Sequence, residues 1–351
     1  MAFSKSVIRS QAPAKCGICE TDRPIKWKCV DCIKLLCNNC KEKVHPKFEN
    51  AKNHQVVNIK DVGQPSVVEI NINKQYQNKL YVVDTISYCH DDSLWIKSNR
   101  DRVLQRVKPD GTKLEILSSF NIKIYGMDVT QSNSLLLITG EARLKQISSN
   151  MGSLTDSVYD LSPLEPTAVH ITSDNKVLVG GVNKDYPKPG RRVVILMNQN
   201  GVHERVYEHD QHKQPVFTFP RRITCTKNSN IHVVDEVSGY RHRVVVLGQG
   251  SDIINIYTGD REINKNIPFR PLCIVATPRD NVLVADTFTS TFHILNNVGL
   301  LMTYYRTSDI NIIHPYSLVF SPTGQLYIGC AISDNNKTDE DKIYEVAITG
   351  C

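Results

Sequence analysis

The sequence predicts a small metal-bound module followed by an all-β six-bladed β-propeller. Two observations lead to this fold class. Six of the eleven cysteines lie between residues 15 and 55, together with two histidines. From about residue 67 onward, short β-branched runs alternate with clusters of Gly, Asp, Asn and Pro, and no long amphipathic helix is indicated. We therefore expect the chain to fold as two parts of unequal size.

The cysteine-rich segment arranges its candidate ligands in pairs. Each C-x2-C pair can point two thiolates at one ion, and eight ligands serve two tetrahedral zinc sites. Thiolate and imidazole donors favour zinc over magnesium or calcium, which prefer oxygen. The start of the chain lacks the apolar run of a secretory signal, so disulfides are the less favoured alternative. The spacing is Cys16-x2-Cys19-x9-Cys29-x2-Cys32-x4-Cys37-x2-Cys40-x4-His45-x8-His54.

This spacing, with the apolar QVVNI directly after it, resembles the B-box zinc finger of the tripartite-motif (TRIM) proteins. The resemblance implies a cross-brace, in which alternate ligand pairs share an ion; spacing alone does not choose the pairing. On that pattern one zinc is held by Cys16, Cys19, Cys37 and Cys40, and the second by Cys29, Cys32, His45 and His54. We expect a disordered N-terminus over 1–12, the B-box over 13–58, a linker over 59–66 and the propeller over 67–351.

The larger part of the chain is a sixfold repeat. Its apolar strand recurs as SLWI (93–96), SLLLI (134–138), KVLVG (176–180), NIHVVD (230–235), NVLVAD (281–286) and QLYIG (325–329), at steps of 41 to 54 residues. Such a period is typical of a β-propeller with one four-stranded sheet per blade, and an irregular β-sandwich is the alternative. We expect VVEINI (67–72) to join the last blade as its outer strand, which closes the ring.

The fourth unit, PRRITCTKNSNIHVVDEVSGYRHRVVVL (220–247), resembles the NHL repeat. A B-box followed by an NHL-like propeller is the arrangement of one TRIM branch, so the resemblance extends over most of the chain. Two departures stand out. Too few residues precede Cys16 for the RING finger of that family, and the segment after His54 leaves no room for coiled-coil heptads. We therefore expect neither of these in this sequence, and without a coiled coil it assigns no oligomeric state.

Charge is unevenly distributed between the two parts. Residues 1–60 carry twelve Lys and Arg against five Asp and Glu, whereas the remainder carries thirty against thirty-one. A neutral propeller argues against wholesale coating by nucleic acid, but a local basic face remains possible. Arginine forks on such a face suit phosphates or acidic side chains. The candidate partner-binding residues, expected on one face of the propeller, are Lys184, Lys188, Arg191, Arg192, Lys213, Arg221, Arg222, Tyr240, Arg241 and Arg243.

Catalytic motifs do not stand out. No G-x-S-x-G elbow, P-loop or dinucleotide fingerprint is present. Asp235 and Asp286 recur at equivalent strand ends, where we expect them to cap turns rather than to ligate calcium. Cys225 and Cys273 are expected at equivalent packing positions, and His232 is expected to be structural.

These observations predict a cytoplasmic zinc-binding adaptor that contacts protein partners through both parts, in the ubiquitin pathway or in regulatory complexes. Two alternatives stay open. The TRIM resemblance suggests an E3 ubiquitin ligase, although RING residues are missing. The basic propeller face suggests RNA binding. No apolar run is long enough to span a membrane.

Overall fold

The computed structural model divides the chain into two compact units, residues 1–67 and 68–351. Among the described residues, no helix has the length and apolar character that crossing a bilayer requires. The predicted disordered segment 1–12 and the predicted linker 59–66 lie outside the described residues. The structure describes residues 16–19, 21, 24–29, 32, 34–48, 51, 54, 56–58, 68–148, 152–183, 185, 189–250, 252–331 and 342–351.

The first unit is built on a three-stranded antiparallel sheet in the order β2-β1-β3. Its strands are β1 (Ile25–Cys29), β2 (Leu35–Cys37) and β3 (Val56–Asn58), and two short helical turns, Cys40–Val44 and His45–Lys47, follow β2. Partly buried aliphatic side chains pack against the buried thiols of Cys16, Cys37 and Cys40. Because this apolar cluster is so small, burial alone gives the unit little stability, and metal binding must contribute much of it.

The second unit is a six-bladed propeller of four-stranded antiparallel sheets, as the repeat predicts. Blades 1 and 2 contain β5 (Thr85–Tyr88), β6 (Leu94–Ser98), β7 (Val103–Asp110), β8 (Lys113–Asn121), β9 (Gly126–Val129), β10 (Leu135–Ile138), β11 (Arg143–Ile147) and β12 (Leu154–Asp160). Blades 3 and 4 contain β13 (Leu164–Ile171), β14 (Val177–Asn183), β15 (Arg192–Met197), β16 (His203–Tyr207), β17 (Pro220–Cys225), β18 (Ile231–Ser238), β19 (Arg241–Leu247) and β20 (Ile253–Tyr257).

Blade 5 contains β21 (Pro271–Ala276), β22 (Val282–Asp286), β23 (Thr291–Leu295) and β24 (Leu301–Arg306). Blade 6 contains β25 (Pro315–Phe320), β26 (Gln325–Cys330) and β27 (Lys342–Thr349), and its fourth strand is β4 (Glu69–Gln77) from the start of the propeller. The antiparallel pairing of β4 with β27 confirms the predicted ring closure. A ring closed in this way leaves no long unpaired strand edge between the first and last blades.

Each predicted apolar run forms the second strand of its blade, and these strands are almost entirely buried. They lie between two strands of their own sheet and are covered by neighbouring sheets, so continuous apolar sequence suits them. The turn before each second strand holds one residue in the left-handed conformation, which Asn, Asp and Gly tolerate best. The six residues are Asp92, Asn133, Asn175, Ser229, Asp280 and Gly324.

The first strands of successive blades contact one another all the way around the ring and therefore surround the central axis. Because the strands of each sheet alternate in direction, two sets of loops lie at the same end of the sheets. These are the loops that follow the second strands and the connections that enter the first strands. We call this end the upper face; the turns before the second strands form the lower face.

Candidate metal centre and propeller face

Four sulfur atoms from distant parts of the first unit converge on one point. The Sγ atoms of Cys16, Cys19, Cys37 and Cys40 all lie within 4.8 Å of one another, and those of Cys19 and Cys37 are 3.9 Å apart. A zinc ion with Zn–S bonds of about 2.3 Å at the centre of a tetrahedron separates its sulfur ligands by about 3.8 Å. The spacing therefore fits a four-thiolate zinc site.

The second cluster combines two thiols with two imidazoles. Cys32 Sγ lies 3.1 Å from His45 Nε2 and 3.6 Å from His54 Nδ1, and Cys29 Sγ also lies 3.6 Å from His54 Nδ1. All four ligand atoms lie within 4.8 Å of one another. Mixed sulfur and nitrogen ligands at these separations suit a second tetrahedral zinc ion. The two clusters confirm the predicted cross-brace pairing and the two zinc-binding sites.

Local backbone structure positions these ligands. Cys29 ends β1 and Cys37 ends β2, so the hairpin sends one ligand to each site. The backbone N–H of Cys32 donates to Cys29 Sγ at 3.4 Å, and that of Cys37 donates to Cys16 Sγ at 3.5 Å. Such N–H groups stabilise sulfur in its ionised form and limit its orientation.

The thiol-rich site requires a cation. Burial, together with the neighbouring thiols of Cys19 and Cys16, raises the pKa of Cys40 to about 12. Against the effect of burial, backbone N–H groups lower the pKa of Cys16 to about 6, so the compensating positive charge is needed above all for the Cys40 thiolate. Zn²⁺ supplies that charge and ionises its thiol ligands as it binds.

The predicted partner-binding residues have different environments in the propeller. Lys184 and Lys188 lie outside the described residues. Lys213, in the connection that enters blade 4, is exposed, and so are Tyr240, in the turn between β18 and β19, and Arg241, the first residue of β19. Tyr240 has the most exposed large hydrophobic side chain among the described residues, at 78%. These three project from the upper face, where the sequence predicts them.

Other predicted arginines on this face are held by carboxylates of the propeller itself. Arg191 Nη2 lies 2.8 Å from Glu208, and Arg221 Nη1 lies 2.7 Å from Glu236. These ion pairs offset part of the positive charge that the sequence suggests for the upper face. Arg192 donates from Nη1 to Asn183 Oδ1 at 2.7 Å and from Nε to the Thr218 carbonyl at 3.3 Å.

Arg243 belongs to a buried capping arrangement rather than to an open surface. Its Nε donates to Asp235 Oδ2 at 2.9 Å. Asp235 Oδ1 accepts the backbone N–H groups of Thr218 and Phe219, both at 2.8 Å. Asp286 has the corresponding position in blade 5, where its Oδ1 accepts the Arg270 N–H at 3.3 Å. Both aspartates therefore cap the connections that enter their blades, as the sequence predicts.

Arg222 reaches across the central axis. Its Nη2 lies 3.4 Å from the Asp84 carbonyl oxygen and 3.5 Å from Thr85 Oγ1, which belong to the opposite blade. Burial and the adjacent Arg221 lower the pKa of Arg222. Lys97 is also buried near the axis; its Nζ donates to the Ile124 carbonyl at 2.6 Å, and burial and Arg222 lower its pKa to about 7.

A cavity of about 420 Å³ opens beside these groups. Arg221, Arg222, Asp84, Glu165 and Tyr316 are among its lining residues, and they come from the first strands or entry connections of four blades. The sequence offers no signal for this cavity, because its walls meet only when the ring closes.

Sequence analysis also missed a cation–aromatic group on the upper face. The Arg270 guanidinium lies 4.4 Å from the Phe288 ring centre and 5.9 Å from that of Tyr240. Arg270 is in the connection that enters blade 5, and Phe288 is in the loop after its second strand. Comparison of these loops with their counterparts in blade 4 could have found both.

Residues 16–56 match the family of ANCHR-like B-box zinc-binding domains. This match includes all eight predicted zinc ligands and no residue of the propeller. It identifies the first unit as a B-box zinc-binding domain. Among curated protein sequences, none matches the chain.

Solved structures resemble the propeller. The PQQ-bound aldose sugar dehydrogenase of Streptomyces coelicolor has a TM-score of 0.57 at 12% identity and covers 81% of this chain and 99% of its own. A luciferin-regenerating enzyme has a TM-score of 0.56 at 12% identity, with 80% and 95% covered. A catalytically inactive virginiamycin B lyase from Staphylococcus aureus with quinupristin has a TM-score of 0.52 at 12% identity, with 80% and 99% covered. At such low identity these likenesses establish the propeller fold alone, so the chain combines a B-box zinc-binding domain with a six-bladed β-propeller.

Proposed function

We propose that this chain is a zinc-binding adaptor that recognises protein partners through its B-box and through the upper face of blades 4 and 5. The carrying observation is that two exposed aromatic side chains of that face, Tyr240 and Phe288, flank the Arg270 guanidinium, with ring centres 5.9 and 4.4 Å away. Soluble proteins seldom expose such groups together, and aromatic residues with arginine are enriched at interface hot spots. Two further exposed apolar side chains of these blades are Val237, near the end of β18, and Ile267, in the connection that enters blade 5.

A protein partner suits this face better than RNA does. Arg191 and Arg221 are already paired with carboxylates, so phosphates would have to compete with Glu208 and Glu236. Burial of apolar side chains against another protein, in contrast, lowers the free energy and favours binding. RNA binding is supported by the exposed Lys213, Tyr240 and Arg241, and it stays the second candidate. In that case the affinity falls steeply with salt.

Capture of partners from lysate by the purified zinc-loaded chain tests the adaptor function. We expect recovery of defined proteins that survives ribonuclease and falls about tenfold or more when Tyr240→Ala and Phe288→Ala are combined. Tyr304→Ala is the matched control, because Tyr304 is an exposed aromatic on the outer strand of blade 5. Ribonuclease-sensitive capture would favour RNA, and equal capture by all variants would exclude this face.

We further propose that the adaptor works in the cytoplasm, in the ubiquitin pathway or in regulatory complexes. The support is the TRIM-like order of a B-box zinc finger and an NHL-like propeller. The alternative is ubiquitin ligation by the chain itself. Incubation of the purified chain with ubiquitin, activating enzyme and a panel of conjugating enzymes separates the two. Zinc-dependent ubiquitin chains would establish a ligase, whereas an adaptor alone forms none.

A further inference from the structure

A cysteine, a histidine and an aspartate from three blades lie in line near the lower face of the propeller. Cys225 Sγ is 3.4 Å from His170 Nε2, and His170 Nδ1 is 3.3 Å from Asp128 Oδ2. Cys225 ends the first strand of blade 4, whereas His170 and Asp128 are in the first strands of blades 3 and 2. A nucleophile beside a base that a third group orients is the arrangement of activated nucleophiles.

Cys225 and Cys273 both pack against apolar core clusters, as predicted, but the expectation that they are equivalent positions is wrong. Cys225 pairs across its sheet with Ile231, whereas Cys273 pairs with Ala285, so the two differ by three positions in register. Cys273 is buried, but Cys225 is only partly buried. Cys225 also lines a cavity of about 230 Å³ between blades 3 and 4.

The electrostatics favour the protonated form of His170. Burial alone would lower the pKa of His170, but the adjacent Cys225 and Asp128 raise it to about 10. Asp128 Oδ2 also accepts the Ile171 N–H at 2.8 Å, which fixes the carboxylate beside the ring. A thiolate beside an imidazolium is the reactive form of cysteine at neutral pH. The charged side chains that line the cavity itself are Asp174, Lys176, Glu204 and Arg205.

We propose that Cys225 is a nucleophile that accepts acyl groups from small esters or thioesters entering this cavity. The Cys225 sulfur bonds to the acyl carbon, and the bond from that carbon to the leaving oxygen or sulfur breaks. His170 transfers its Nε2 proton to the leaving group, which departs as an alcohol or thiol. The cavity limits the donor to a short acyl group, since about 150 Å³ accommodates a benzene-sized molecule.

The first test is acylation of the full zinc-loaded chain by p-nitrophenyl acetate. We expect release of one equivalent of p-nitrophenolate at Cys225, with the acetyl group found on the Cys225 peptide by mass spectrometry. Cys225→Ser should lose this release, and Cys273→Ser, which alters a buried thiol outside the arrangement, should keep it. Absence of acetyl on Cys225 in the wild-type chain would overturn the proposal.

The second test measures the pH dependence of alkylation of Cys225 by iodoacetamide. The reference is a synthetic peptide of residues 223–227, which carries the same thiol without His170. At pH 6.5 we expect Cys225 in the folded chain to react about tenfold faster than the peptide, because His170 Nε2, 3.4 Å from the sulfur, is placed to accept the thiol proton. His170→Gln should bring the profile to that of the peptide. If that variant fails to fold, the wild-type profile decides; a profile equal to the peptide's contradicts the proposal.

Discussion

His232 is a single polar side chain inside the apolar second strand of blade 4. It is fully buried, and the cross-strand pairing places it at the same level as Leu136 in blade 2 and Leu178 in blade 3. Burial lowers its pKa from 6.5 to about 4. The ring is therefore neutral in the folded propeller at physiological pH, which agrees with its predicted structural role.

This buried ring makes folding stability depend on pH. The unfolded chain binds a proton at His232 below about pH 6.5, but the folded chain does so only near pH 4, so stability falls as the pH drops through this window. We expect a loss of about 2 kcal/mol between pH 7 and pH 5 from this group. His232→Leu should remove that contribution, as the difference between chemical denaturation curves at the two pH values would show.

The control for His232 is His90→Leu, because His90 is an exposed histidine in a turn of blade 1. This variant shows whether loss of an exposed histidine by itself changes the same two denaturation curves. An unchanged slope in His232→Leu would mean that His232 takes up its proton equally well in both states.

At the scale of elements, strand β4 ties the start of the propeller to its end. Tyr76 is completely buried in β4, packs among core residues of blades 6 and 1, and donates its hydroxyl to Glu345 Oε2 at 2.7 Å. Ile72 lies on the same strand but is 41% exposed. The closure of the ring therefore depends on particular side chains of β4 as well as on its backbone pairing.

Shortening Tyr76 should weaken this closure. Tyr76→Ala removes a buried aromatic ring and the shorter of the two hydroxyl hydrogen bonds to Glu345, whose other donor is Tyr327 at 3.4 Å, so we expect a loss of about 4 kcal/mol in the free energy of unfolding. Ile72→Ala, on the same strand, should cost less than about 1 kcal/mol. Urea denaturation of both variants measures the difference, and similar losses would show that β4 does not depend on the buried ring.

Local sequence patterns predicted the strands and turns of the propeller, but they did not predict the contacts across the ring. The apolar runs and the left-handed turn residues such as Asn133 and Asn175 repeat within each blade, so sequence alone identified the strands and the closure. Arg222 looked like a surface cation because nothing near it in sequence shows that it reaches Asp84 across the axis. Asp128, His170 and Cys225 lie more than forty residues apart in sequence, and only the ring brings them together.

At the scale of the whole molecule, the two units obtain their stability from different sources. Zinc binding supplies much of the folding free energy of the B-box, whereas the propeller has large apolar clusters between its blades. The chain has two tryptophans, one in each unit. Trp27 is in β1, the strand that ends at the ligand Cys29, and Trp95 is buried in β6.

These tryptophans report separately on each unit when zinc is removed. We expect a strong chelator to change the emission of Trp27 in a Trp95→Phe variant, because loss of the metal unfolds the strand that holds it. In a Trp27→Phe variant the emission of Trp95 should stay unchanged, since the described propeller residues include no ligand of either zinc site. Added zinc should restore the first signal. A response of Trp95 to the chelator would contradict independent stabilisation and show that the propeller needs the metal-bound B-box to keep its own fold.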